Sequence, residues 1–335
     1  MLRLLHGTSY DFIKWWKHMA GLTIAWIFIG ATLVLVSRAR ARPAVNWSVE
    51  FTGGTLVQLQ FTQAPSPDEI RSTLARAGYS GVEIQQFGRP TEYTVRAPGE
   101  TAAAGDSTSR QIHRALQARF GESAVSVVRT EFVGPKVGAE LRSNALIAIL
   151  ISFLVTLGYL ALRFEWRFGV AAVIATAHDI LTTIAFIMML RLEVSLTVVA
   201  AILTVIGYSL NDTIIIFDRV RENLRKQRRE SLREVLNRSI NETLPRSIMT
   251  HATTLAATIA LLVFGGEVIR PFSWVMTFGI FTGTFSSIYV AGALLLYIEH
   301  KWPRRVGESK GTARALAEER RRERSDKTDG TMAAR

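Results

Sequence analysis

Ionisable residues interrupt apolar stretches of this sequence that are otherwise free of charge. Asp212 follows Asn211 in one stretch, His178 precedes Asp179 in another, and His251 lies in a third. A charge at the centre of a bilayer costs on the order of 2.5–3.5 kcal/mol, so such residues usually have a partner and a function. Carboxyl and imidazole groups held in this way can bind and release protons.

A pair of opposite charges is predicted near one end of these stretches. Asp212 lies five residues before the end of the stretch 194–217, which places it about 8 Å from that end in a helix. Arg246 opens the next stretch from the same side, so the two side chains are predicted to meet. Burial favours a neutral carboxyl and a nearby guanidinium favours a carboxylate, so breaking the contact would switch proton affinity. A static ion pair that joins two helices is the alternative.

The remaining ionisable residues have less specific surroundings. His178 and Asp179 are candidates either for proton transfer or for packing, and His251 is interpreted as a hydrogen-bonded packing residue. The sequence has no cysteine and no HExxH, GxxxxGK[ST] or strand-bound GxGxxG motif, so neither a metal site nor a nucleotide site is predicted. We expect no catalytic residues and no cofactor, with protons as the coupling ion.

Six stretches are long and apolar enough to cross a membrane. The chain combines a mean hydropathy of +0.19 with a net charge of +12, because long uncharged runs alternate with basic segments. A bilayer core of about 30 Å requires about 20 apolar residues in a helix. The predicted spans are 19–37, 144–162, 168–190, 194–217, 247–266 and 271–298.

The first span has an alternative interpretation as a signal peptide. Lysines precede it, and Ala39-Arg40-Ala41 follows it like a cleavage site. Its apolar run is longer than the usual signal-peptide core of about 7–15 residues, however, and arginines crowd the site. An uncleaved anchor is the favoured interpretation.

Residues 38–143 are predicted to form an exported α+β domain with the ferredoxin-like order βαββαβ. Its first strand is predicted over Val49–Phe61, with Gly53-Gly54 inside it as a bulge or a close backbone approach, or as a hairpin turn. Ser66 is predicted to open a helix, and Pro98–Ser109 to form a mobile loop. Gly134, Pro135 and Gly138, in segment 133–138, are predicted to form a hinge, or simply a linker.

Basic residues in the short loops give an orientation. Both termini are predicted to be cytoplasmic, with the N-terminus at 1–18, a basic segment at 218–246 and a basic, disordered tail at 299–335. Arg38, Arg40 and Arg42 lie on the opposite side, against the rule. The segment 218–246 either lies on anionic lipid or acts as a simple charge anchor.

Small residues recur every four positions in the last two spans. They are Gly279, Gly283 and Ser287 in one, and Ala252, Ala256 and Ala260 in the other. This spacing predicts close helix packing without any chemistry.

Several ordered motifs resemble the SecF family of protein-export membrane subunits. The fourth span reads LTVIGYSLNDTIIIFDRVREN over 203–223, and the α+β domain begins with VEFTGG at 49–54. VGPKVG at 133–138, NETLPRSIMT at 241–250 and GIFTGTFSS at 279–287 follow in the family's order. The resemblance covers roughly residues 11–298.

The resemblance implies a fold related to resistance-nodulation-division transporters and a homologous partner subunit, SecD. The two subunits would use the proton gradient for late, ATP-independent steps of preprotein export through the SecYEG channel, with YajC as a further candidate partner. The chain would be a multi-pass transport subunit of the bacterial inner membrane, not an enzyme, with lipid but no nucleic acid as a partner. The family's proton-pathway residues map onto Asp212 and Arg246. Pro245, where the family often has serine, would shift the start of that helix.

Two other functions stay open. A small-molecule or lipid exporter of the same superfamily would require a larger exported region than one domain of this size. A scaffold that only stabilises a translocon would tolerate apolar residues at both Asp212 and Arg246.

Overall fold

The computed structural model describes residues 8–39, 45–79, 82–97, 102–226 and 230–302. The predicted tail beyond Trp302, the residues Arg40 and Arg42, and the first four residues of the predicted loop at 98–109 lie outside these ranges.

Six helical spans are long and apolar enough to cross a membrane within the described ranges, which confirms the predicted number. They are α1 (Trp16–Ala39), α5 (Pro135–Arg163), α6 (Trp166–Met189), α7 (Leu196–Lys226), α8 (Leu232–Phe264) and a composite last span. The last span consists of α9 (Gly266–Ser286), a π-helical turn (Ser287–Ala291) and α10 (Gly292–Lys301).

Helices α7 and α8 continue well past the apolar runs. Ser231 and Glu234 form a reciprocal capping box that begins α8, since each satisfies a backbone N–H that has no partner within the helix. The basic segment predicted at 218–246 therefore consists, where described, of the ends of these two helices. They pack together through buried residues such as Asn223, whose side chain donates to Ser239 Oγ at 3.0 Å.

The centre of the helix bundle is formed by α6, α7 and the last span. In their most apolar stretches 61%, 56% and 61% of residues are buried, against 6% for α1, 11% for α5 and 17% for α8. The three outer helices therefore present most of their apolar surface outward, as expected where lipid or another membrane subunit is the neighbour.

The α+β domain is inserted between α1 and α5 and has the predicted order βαββαβ. It comprises β2 (Gly54–Phe61), α3 (Pro67–Arg76), β3 (Glu83–Gln86), β4 (Glu92–Ala97), α4 (Ala102–Phe120) and β5 (Val125–Val133). The strands pair antiparallel in the order β3-β4-β2-β5, so one strand separates the two strands of each βαβ unit, as in a split βαβ motif. Ile70, Leu74, Ile112 and Leu116 of the helices are fully buried against the sheet.

Two local predictions in this domain are wrong. Helix α4 begins at Ala102, inside the predicted loop, because alanine has the highest helix propensity and three alanines open the helix. Val49–Thr52 is not strand but a single helical turn, α2, that follows a short strand, β1 (Asn46–Trp47).

Gly53 separates α2 from β2 through a close backbone approach, one of the alternatives that the sequence left open. Its φ of 73° is favoured by glycine. A Cβ atom at this position would lie 2.7 Å from the Pro135 Cα at the start of α5. The joint between α2 and the sheet thus requires glycine for both its conformation and its space.

Candidate functional site

Asp212 lies at the centre of the bundle and is held by two serines from other helices. Its side chain is 3% exposed. Ser247 Oγ on α8 donates to Oδ1 at 2.5 Å, and Ser287 Oγ, at the start of the π-helical turn, donates to Oδ2 at 2.9 Å. Asp212 therefore links α7 to α8 and to the last span through neutral hydroxyl groups.

Asp179 on α6 has a similar environment. It is 1% exposed, and Oδ2 accepts hydrogen bonds from Ser209 Oγ on α7 and from Ser286 Oγ on α9, the latter at 2.7 Å. The ring of His178 contacts Oδ1 through Nδ1 at 3.0 Å. A second buried carboxyl group is thus held by α7, the helix that carries Asp212, and by the last span, which also contacts Asp212.

Two serines that are adjacent in the chain contact one carboxyl group each. Ser286 contacts Asp179 and the next residue, Ser287, contacts Asp212. The helix changes from α to π geometry at this pair, and π-helical turns are frequent at functional sites because they alter the direction of consecutive side chains. Ser209, which contacts Asp179, lies one turn before Asp212 on α7.

Glycines bring α9 close enough to α7 for these contacts. A Cβ on Gly279 would lie 2.3 Å from Val205 Cγ2, and one on Gly283 would lie 3.0 Å from Ser209 Cβ. The predicted small-residue stripe on the last span therefore does pack closely. Ser287 of this stripe also donates a hydrogen bond to a buried carboxyl group, and the expectation that the stripe takes no part in chemistry stays a prediction. The alanine stripe on α8 faces outward instead.

The predicted contact between Asp212 and Arg246 is not formed in this arrangement. Arg246 is exposed, whereas the next residue, Ser247, is buried. Adjacent residues on a helix point about 100° apart, so the serine and not the arginine reaches Asp212. Asn211 is likewise exposed. Pro245 lies inside α8 and does not shift its start, which is at Leu232.

The two histidines lie at the edges of this network. His251 is 4% exposed and its Nδ1 contacts the Ser247 backbone oxygen at 2.5 Å. Its ring packs edge-on against Tyr208, with centroids 5.2 Å apart. Nε2 of His251 and Nε2 of His178 are buried without a hydrogen-bond partner among the described residues.

Gly134, Pro135 and Gly138 form the first turn of α5. Gly134 is the extended N-cap residue and Pro135 occupies the first helical position, where proline is favoured. A Cβ on Gly138 would lie 2.9 Å from the Gly53 nitrogen. The α+β domain thus leads directly into the span, and bending at this point stays a prediction.

The four serines that hold the carboxyl groups were not singled out in the sequence as site residues. They belong to the motifs at 203–223, 241–250 and 279–287, but a serine on an apolar helix is equally typical of packing. Among the described residues no group of three or more potential ligands could hold a metal ion. The hydroxyl groups can satisfy each carboxyl group in either protonation state, because each hydroxyl both donates and accepts hydrogen bonds.

The chain matches two family models. One, described as "Protein export membrane protein SecD/SecF, C-terminal", covers residues 112–301. The other, the SecD/SecF GG motif, covers residues 43–65.

Full-length relatives agree with these matches. Protein translocase subunit SecF of Gemmatimonas aurantiaca is 59% identical, with 94% of each chain covered. SecF of Escherichia coli O157:H7 is 38% identical over 89% of this chain and 91% of the relative.

A solved structure has the same fold. The crystal structure of SecDF from Thermus thermophilus, described as a translocon-associated membrane protein, superposes with a TM-score of 0.78 at 35% identity. The match covers 90% of this chain but 40% of the SecDF chain. From the family models, the full-length relatives and this common fold, the chain belongs to the SecF family of protein translocase subunits.

Proposed function

We propose that this subunit couples proton movement across the bacterial inner membrane to protein export, with Asp212 as its principal proton-binding residue. The observation that carries the proposal is the contact of a buried carboxyl group with hydroxyl groups from two other elements. A residue that served only to pair with a fixed cation would have that cation beside it, whereas Arg246 is exposed.

Hydroxyl partners allow Asp212 to exist in either protonation state. A serine donates to a carboxylate and accepts from a carboxylic acid without moving its oxygen atom. A rotation of α8 that exchanged Ser247 for Arg246 would place a cation beside Asp212 and favour the carboxylate. The two arrangements form a cycle in which proton binding and release accompany a change in helix packing.

The energy that one proton releases is comparable with the cost of breaking one buried polar contact. Each proton that crosses a potential of 100 mV releases about 2.3 kcal/mol. Repacking one polar contact costs about 1–3 kcal/mol. The energy of one proton per cycle is therefore of the same size as the cost of exchanging a single buried contact.

Asp179 is proposed as a second proton-binding residue on the same path. Its serine partners Ser209 and Ser286 adjoin the surroundings of Asp212. His178 contacts Asp179 and His251 contacts the Ser247 backbone, and each ring has a buried Nε2 without a hydrogen-bond partner among the described residues. Protons would thus pass between two carboxyl groups through neighbouring hydroxyl groups.

The proposed orientation has both termini in the cytoplasm and the α+β domain outside. Basic residues concentrate at the ends of α7 and α8 that lie away from the domain, as the positive-inside rule requires. The proposed partners are SecD, the SecYEG channel, preproteins in transit and YajC. The exposed outer faces of α1, α5 and α8 leave room for a membrane partner.

Export assays test the proton role. In inverted membrane vesicles, Asp212→Asn is expected to abolish the part of preprotein export that depends on the proton gradient, because an amide cannot take up a proton. Asp218→Asn is a control on the same helix, since Asp218 is only half-buried and forms an ion pair with Arg163. Gradient-dependent export by correctly inserted Asp212→Asn would support a scaffold instead.

A further inference from the structure

A carboxylate at the beginning of the α+β domain accepts a hydrogen bond from the first residue of α7. Glu50 Oε2, on α2, accepts the backbone N–H of Leu196 at 2.6 Å. The first N–H groups of a helix have no partner within it, and a carboxylate there also faces the positive end of the helix dipole. The contact therefore caps α7 from a residue 146 positions earlier in the chain.

A short parallel ladder holds Glu50 in place. Strand β1 pairs with β6 (Glu193–Val194), the strand that leads into α7, with Asn46 opposite Glu193 and Trp47 opposite Val194. The Ser48 N–H then donates to the Val194 oxygen at 2.9 Å. The connection from α6 to α7 is thus bound to the segment that begins the α+β domain.

An arginine of the sheet adds a second link. Arg96 on β4 pairs with Glu193 at 2.5 Å and donates to the Trp47 oxygen at 2.9 Å. Burial raises the pKa of the Glu193 carboxyl, and the nearby Arg96 partly offsets that increase. The sheet, the ladder and the start of α7 therefore meet at one place.

The remaining side of α2 is packed against the bundle. Phe51 is 2% exposed and belongs to the apolar cluster that contains Val198 of α7 and Ala145 of α5. Gly53 contacts the backbone of Pro135, and the space beside Gly138 is filled by Phe51 and Gly53. Helix α2 is thus confined between the starts of two spans and continues directly into β2.

We propose that Glu50 is a positioning residue that couples α7, the helix of Asp212, to the α+β domain; this inference rests on the proposed proton role. Helix α7 is continuous from Leu196 through Asp212, a distance of about 24 Å at about 1.5 Å per residue. A displacement of α7 caused by proton binding therefore reaches Glu50, and α2 transmits it to β2, one of the two central strands of the sheet.

Two substitutions remove the contact from opposite sides. Glu50→Ala deletes the acceptor. Leu196→Pro deletes the N–H donor at a first helical position, where proline is well tolerated, and the leucine that it replaces is 39% exposed. Glu50→Gln keeps an acceptor oxygen and serves as the conservative variant. Glu69→Ala is the matched control, because Glu69 caps α3, a helix of the domain.

The readout is export and proton uptake measured together in vesicles that contain the full subunit and its natural partners. Glu50→Ala and Leu196→Pro are each expected to slow export about fivefold, the effect of losing a helix cap, while proton uptake stays near that of the wild type. The double variant is expected to be no slower than either single one, as for two changes to one contact. Glu50→Gln and Glu69→Ala are expected to export at close to the wild-type rate.

Three outcomes would overturn the coupling role. They are wild-type export by both Glu50→Ala and Leu196→Pro, additive losses in the double variant, and loss of proton uptake in step with export. Failure of the proton role gives a different result, because it would appear as unchanged uptake and export in Asp212→Asn.

Discussion

At the scale of single residues, the site depends on which side chains reach the buried carboxyl groups. Asp212 and Asp179 could be predicted, because a charged residue in an apolar stretch is conspicuous. Their serine partners could not, since Ser247 and Ser287 are 35 and 75 residues away from Asp212 in the chain. The prediction that Arg246 contacts Asp212 was wrong by one residue. The depth of this part of α8 in the membrane could be predicted, but the rotation of α8 about its axis, which selects the contacting residue, could not.

Removing one hydroxyl group from Asp212 should impair proton exchange. Ser287→Ala leaves a buried carboxyl oxygen with one partner fewer, which costs about 1–3 kcal/mol, so proton uptake is expected to slow about tenfold. Ser273→Ala is the control, because Ser273 is equally buried on α9 but donates only to the Ile269 oxygen of its own helix. Equal uptake by the two variants would show that the hydroxyl of Ser287 is not part of the path.

At the scale of helices, the site exists because α9 lies close to α7. The number of spans and their approximate positions follow from apolar length alone. The packing partners do not, since the stripe of alanines on α8 resembles the glycine stripe on α9 in spacing yet faces outward. The π-helical turn at Ser287–Ala291 also has no signal in the sequence, because backbone hydrogen bonding over five residues reflects the surrounding packing.

A methyl group at the contact between α9 and α7 should destabilise the bundle. The Cβ of Gly279→Ala would meet Val205 at 2.3 Å, and overpacking of this kind costs about 1–3 kcal/mol. A lower midpoint is therefore expected in thermal unfolding of the detergent-solubilised protein, followed by circular dichroism. Gly158→Ala on α5 is the control, because no atom lies within 4 Å of its Cβ position. Equal midpoints for the two variants would contradict the close packing.

At the scale of the whole molecule, the chain is a bundle joined to a domain through α2, β1 and β6. The order of the α+β domain could be predicted from its strand and turn residues. The attachment of the domain to the bundle could not be predicted. The residue types of VEFTGG are typical of a strand, whereas its first part is a helical turn packed between two spans. The match covers 40% of the SecDF chain, so this chain corresponds to one part of that protein.

The orientation can be tested because the chain contains no cysteine. A membrane-impermeant maleimide added outside intact cells is expected to label Asp68→Cys, an exposed position on α3. Lys226→Cys, exposed at the end of α7, is expected to react only after the membrane is permeabilised. The reverse pattern would place the α+β domain in the cytoplasm.

Proton uptake by the reconstituted complex is the most direct test of the account. Proteoliposomes that contain this subunit with its partner would be subjected to an imposed proton gradient, and internal pH would be recorded for the wild type, Asp212→Asn and Asp218→Asn. Wild type and Asp218→Asn are expected to take up protons at the same rate, and Asp212→Asn at the rate of empty liposomes. Uptake by Asp212→Asn at the wild-type rate would contradict a proton path through Asp212.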